Sequence, residues 1–174
     1  MDDQPVVAAQ LERSLRAPIE VVARCPLGLP AVVAVPPLLD DGTPFPTRYW
    51  LTCPLARARV GRLESAGGVK SMERWVESDP VVASRFLAAG VRYAAERDLL
   101  VPEDSLHRPS GGVAGSHRGV KCLHAHYADH RAGHDNPVGE TVAPWVEPLD
   151  CAVACVVEDD SGGVGRNAGW REPK

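Results

Sequence analysis

The chain has 174 residues, enough to bury a hydrophobic core without help from disulfides or a metal. Hydrophobic residues make up 44% and charged residues 24%, as in soluble globular proteins, and the net charge of -4 argues against a nucleic-acid partner, which needs concentrated basic surface. The acidic start Met1-Asp2-Asp3-Gln4-Pro5 is unlike a signal peptide, and no apolar run approaches the ~20 residues of a membrane span, which points to a cytoplasmic protein without membrane insertion.

Residues 6–17 read as a short helix, with Val7, Leu11 and Leu15 at i+4 spacing and Pro18 as its stop. Segments 19–24 and 31–35 are rich in Val and Ile and predict two strands, with Cys25-Pro26-Leu27-Gly28-Leu29-Pro30 turning between them. A stiff Pro-rich loop follows, with a turn at Asp41-Gly42. It leads into a short aromatic strand, Arg48-Tyr49-Trp50-Leu51-Thr52. Pro54 suits the first position of a helix that runs to Ala66, because its missing N–H would be unpaired there anyway. Gly67-Gly68 breaks that helix.

A short helix is expected over 70–77. A longer one runs from Asp79-Pro80 to Asp98, with Val82, Phe86, Ala89 and Tyr93 as its apolar stripe. Residues 102–118 form a loop rich in Pro, Ser and Gly. Residues 119–132 read as a helix, Asn136-Pro137-Val138-Gly139 as a turn and 151–157 as a strand. The expected fold is α+β, a small mixed or antiparallel sheet packed with several helices. One domain is expected over 1–157, with a disordered tail over 158–174.

Five cysteines in a reducing compartment are thiols or metal ligands rather than disulfides, and an odd number cannot all pair within one chain. Imidazoles and thiolates are good ligands for zinc, copper, nickel and iron. They cluster between Cys122 and His134. On a regular helix of about 100° per residue, Cys122 and His126 lie about 40° apart, whereas His124 stands about 160° from Cys122. Cys122 and His126 are then the co-ligands, and His124 takes another role unless the helix starts later than Gly119. Cys53 precedes a helix N-terminus, where a thiolate is stabilised, and Cys25 precedes a proline in a turn. Cys25, Cys53, Cys122 and His126 form the expected metal set, with zinc favoured and an iron–sulfur cluster as the other cofactor. Cys151 and Cys155 sit in apolar surroundings and read as core thiols.

Catalytic readings stay open beside this one. Cys53 or Cys122 can serve as a nucleophile with a nearby histidine as base: Cys122 and His126 are close enough on one helix, and Cys53 and His124 are the catalytic candidates of a site converging with Arg118 or Lys121. The stretch from Gly111 to Lys121 is glycine-rich, leads toward a helix N-terminus and carries Arg118 and Lys121. It is a candidate site for a small anionic ligand. No nucleophile elbow or phosphate loop is present.

Three stretches carry a family resemblance: Asp41 to Pro54, Gly119 to Ala128, and Asn136-Pro137-Val138-Gly139. On these the chain resembles the DUF501 family of uncharacterised bacterial proteins, over roughly Cys25 to Val146. The resemblance implies a bacterial cytoplasmic protein, mainly actinobacterial, encoded near genes for a septum-formation initiator and an exopolyphosphatase-like enzyme. It supplies no activity. The family pattern matches Cys25, Cys53, Cys122, His124 and His126. Its continuation Ala-His-x-Leu-Ala is altered here to Ala128-Asp129-His130-Arg131-Ala132, which sets His130 aside as a ligand. Three functions therefore compete: a metal-binding protein, a thiol- or metal-dependent enzyme acting on a small anion, and a non-catalytic interaction protein whose cysteines fill the core.

Overall fold

The computed structural model describes residues 2–160 and 162–173. Helix α1 (Asp3–Leu11) starts on Asp2, whose side chain accepts the Gln4 N–H. It ends before the expected Pro18 because Glu12 turns into the left-handed region, with φ 55°. Strands β1 (Glu20–Arg24) and β2 (Pro30–Ala34) form an antiparallel hairpin, and β3 (Tyr49–Leu51) pairs with the far edge of β2. All five residues of β2 are buried, as expected for the central strand of a sheet covered on both faces.

Helix α2 (Pro54–Ser65) starts at the proline, as the sequence predicts, and α3 (Gly68–Ser78) follows. Helix α4 (Pro80–Asp98) is capped by Asp79, which accepts from the amides of Val81 and Val82. The Tyr93 hydroxyl on α4 accepts the amides of Arg48 and Tyr49 at 2.6 and 3.3 Å, which ties the helix to the entry of β3.

Helix α5 (Leu123–Arg131) is shorter than the predicted 119–132. Gly119 is left-handed at φ 67°, and Cys122 is extended. The stretch expected to be a turn at Asn136 instead opens a sixth helix, α6 (Pro137–Val146). Asn136 is its N-cap, accepting the Gly139 N–H, and Pro137 fills the first position. Helix α5 packs on β3 and α6, which places it at the centre of the main core. Among the described residues, six α-helices and two small antiparallel sheets make the fold α+β.

Two expectations for the C-terminal region meet a different structure. The strand expected over 151–157 is limited to β4 (Val156–Glu158). The stretch after it, expected to be disordered, supplies β5 (Val164–Arg166), which pairs with β4 across the boundary drawn at 157. Trp170 packs on the core and donates its indole N–H to Cys151 Sγ at 3.3 Å, an anchor that Gly-rich composition conceals. Among the described residues no helix is long and apolar enough to cross a membrane.

Candidate metal centre

The extended backbone at Cys122 reorganises the Cys/His segment. Cys122 is the N-cap of α5, so its side chain does not follow the helical phase that sets it apart from His124. Its own side chain caps nothing. The capping role passes to Glu64 near the end of α2, whose Oε1 accepts the Leu123 N–H at 2.7 Å. The other oxygen, Oε2, lies 3.1 Å from His124 Nδ1. Among the described residues, Glu64, Cys122 and His124 form a group whose ligand atoms lie within 4.8 Å of one another, and it can hold a metal ion. All three are half-buried.

His124 is oriented from its other side as well. Its Nε2 lies 3.2 Å from the Arg57 carbonyl oxygen, which only accepts, so Nε2 carries the hydrogen. In the neutral ring Nδ1 then has the lone pair, facing the carboxylate. Burial pulls the His124 pKa down, but hydrogen bonding to Cys122 and the charge and hydrogen bond of Glu64 outweigh it and leave the pKa raised. Nδ1 thus faces the Glu64 carboxylate and the Cys122 sulfur, an arrangement that favours a cation there, a proton or a metal.

The predicted four-ligand set is not brought together as such a group; only Cys122 of the four belongs to it. Cys25 is half-buried in the turn after β1, against the main core. Cys53 is 5% exposed, and burial pushes its thiol up to about 11 despite the helix N-terminus. Desolvation outweighs the backbone amides, so it is not the activated thiolate that its position predicts. His126 lies two residues beyond His124, about 200° round α5, and points inward. Its ring is 1% exposed and stacks on Phe86, with ring centroids 5.4 Å apart. Its Nδ1 meets Asn136 Oδ1 at 3.1 Å, and burial pushes its pKa down to about 4. Asn136 Nδ2 in turn donates to Asp129 Oδ2, which also pairs with Arg92 at 2.6 Å.

The two basic residues of the glycine-rich loop do not share a site. Lys121 Nζ donates to the Ala114 carbonyl, whereas Arg118 lines a cleft beside α4 of which Lys121 forms no part. A different cleft, of about 420 Å³, borders the metal group: Cys122 and His124 form one side, with Arg57, Arg13, Tyr49 and Trp50 around it. The Arg13 guanidinium stands 4.2 Å over the Trp50 ring. Glu64 escaped the sequence reading. It lies far from the Cys/His segment along the chain, and nothing local marks it among 23 acidic residues.

This site rests on the segments matched by a known family. The chain belongs to the family described as protein of unknown function (DUF501), whose family model matches residues 21–144, most of the chain. No curated protein matches, and no solved structure matches.

Proposed function

We propose that this protein binds a divalent transition metal, zinc before others, through Glu64, Cys122 and His124. The observation that carries the reading is the fixed tautomer of His124. The Arg57 carbonyl holds the hydrogen on Nε2 and leaves Nδ1 toward Glu64 Oε2 and the Cys122 sulfur. An outer hydrogen bond of this kind is the usual support of a metal-binding imidazole. A thiolate, an imidazole and a carboxylate together favour zinc over magnesium or calcium, which prefer all-oxygen sites. One thiolate is too few for an iron–sulfur cluster held by this group. Three protein ligands would leave a fourth tetrahedral position for water or a ligand, and Cys122 and His124 border a cleft from which one could come.

The test is elemental analysis of protein purified anaerobically from zinc-supplied cells and then desalted. About one zinc per chain is expected, falling sharply in Cys122→Ser and His124→Ala, and less than about 0.2 per native chain refutes the proposal.

A second reading, an enzyme acting on a small anion, draws support from Arg57 and Arg13 on the cleft beside the open position. His124 favours the metal-dependent form of it over the thiol-dependent form. A thiol–histidine–carboxylate triad needs one ring nitrogen for sulfur and the other for the carboxylate. Here Nε2 faces a backbone carbonyl instead. Calorimetry with inorganic phosphate checks this: binding to the zinc-loaded protein that weakens in Arg57→Ala supports it, and equal binding with and without zinc opposes it.

A further inference from the structure

Asn136 decides which nitrogen of His126 carries the hydrogen. Its Nδ2 donates to Asp129 Oδ2 at 2.9 Å, so its Oδ1 is the acceptor end. Oδ1 takes the Gly139 N–H at 3.0 Å and the Nδ1–H of His126 at 3.1 Å. Nε2 of His126 is therefore left with a lone pair. That atom is buried and has no hydrogen-bond partner among the described residues, on a side chain that is 1% exposed. A buried acceptor left unpaired in a folded protein calls for a missing partner.

His126 lies on the wall of a cleft of about 440 Å³ between α4 and the loop 109–119. The loop is held firmly. Arg97, 1% exposed, donates to the carbonyls of Ser110 and Gly111. A Cβ at Gly112 would stand 3.0 Å from the Gly90 Cα, so helix and loop meet backbone to backbone through paired glycines. Phe86 stacks on the imidazole with an interplanar angle of 25°, and exposed Leu87 and Val91 form the rim. The cleft has the size of a small-molecule site, and its wall combines apolar side chains with His126 and, toward the loop, His117 and Arg118.

We propose that this cleft binds a small, flat, mostly apolar molecule whose hydroxyl or N–H group donates to His126 Nε2. The Phe86 ring, half-buried and stacked on His126, supplies a face for a flat molecule, and its displacement along the cleft wall is the movement that would bring the donor to the imidazole edge. A metal ion is the wrong occupant. His126 belongs to no metal-binding group among the described residues, and the Asp98 carboxylate on the same wall is already paired with Arg97. The site is independent of Glu64, Cys122 and His124, because His126 projects from another face of α5.

Proton–nitrogen correlation spectra of histidine-labelled native protein test the proposal, with indole and para-cresol as donor probes. N-methylindole and para-methylanisole are their methylated controls. The free protein should show His126 protonated at Nδ1. Both donors should shift the Nε2 resonance and saturate, binding about tenfold or more tighter than their controls. Val91→Trp alters only an exposed rim residue. It should weaken both donors about tenfold with the melting temperature unchanged. Controls that bind as tightly as donors overturn the proposal. So does an Nε2 resonance that no probe moves up to its solubility limit, or donor affinity that is undiminished in Val91→Trp.

Discussion

Replacing Arg92 by methionine strands a buried carboxylate. Asp129 is 0% exposed, and its Oδ2 pairs with Arg92 at 2.6 Å. Its Oδ1 already has no hydrogen-bond partner among the described residues. Removing one member of such a pair typically costs about 3–5 kcal/mol, because the remaining charge stays buried and uncompensated. Arg92 is itself 26% exposed, so water can enter in its place, and the lower end, about 3 kcal/mol, is expected. For a chain of this size that corresponds to a fall of about 6–12 °C in melting temperature. The penalty should depend on pH. Burial raises the Asp129 pKa above its ordinary 3.8 even though the hydrogen bonds from Asn136 and Arg92 lower it, and loss of Arg92 raises it further. A folded-state pKa above the unfolded value favours the fold at low pH and loses that support as pH rises through it. The penalty of Arg92→Met is therefore full at neutral pH and shrinks on acidification. Urea unfolding followed by circular dichroism at about pH 7.5 and about pH 5 measures it. A loss below about 1 kcal/mol, or the same loss at both pH values, refutes the reasoning.

Other substitutions and conditions probe separate links. A Cβ at Gly139 would fall 2.2 Å from the His126 carbonyl oxygen and 2.5 Å from His130 Cβ, so Gly139→Ala must push α5 and α6 apart. It should cost about 3 kcal/mol or more in a thermal melt, while Gly61→Ala, on an α2 site with nothing within 4 Å, should stabilise by about 0.5–1 kcal/mol. Burial holds His126 at about 4 against 6.5 in the open chain, so the unfolded state takes up the proton first and stability falls as pH drops between those values. That loss amounts to about 3 kcal/mol, and comparing acid unfolding of the native protein with His126→Phe isolates it. Cys53, with its thiol pushed up to about 11, should resist Ellman's reagent at about pH 8 until urea opens the core; its labelling within the first minutes in native buffer would contradict this.

Strands β1 to β3, α2 and α4 were legible in the sequence because each depends on local signals: runs of Val, the aromatic Tyr49-Trp50 pair, the Cys53-Pro54 start and the Asp79 cap. Helix α6 was hidden by the same signals read the other way. Asn-Pro-Val-Gly spells a turn until Asn136 is seen to accept from Gly139, and Pro144 argues against a helix that nevertheless contains it. The Cys/His segment stood out by its composition, but which of its side chains group with Cys122 did not. Helical phase holds only inside a helix, and four fewer residues at the start of α5 exchange His126 for His124 beside Cys122. Glu64 could not be found this way, since its place depends on how α2 packs against α5.

The family match runs from residue 21 to residue 144, and what lies outside it is not two loose ends. Val6 of α1 shares a small buried cluster with Cys155 and Val156, and Gln10 reaches from α1 to the Cys155 sulfur at 3.6 Å. The opening helix and the closing hairpin are thus two halves of one annex, built from opposite ends of the chain. Val6 and Val156 bury each other, while Val7 packs on Val33 and Val35 of the main sheet and Trp170 on the main core. Trimming the chain back to the family boundary at one end alone leaves a sticky remnant at the other, so a minimal version of this protein has to give up both ends together.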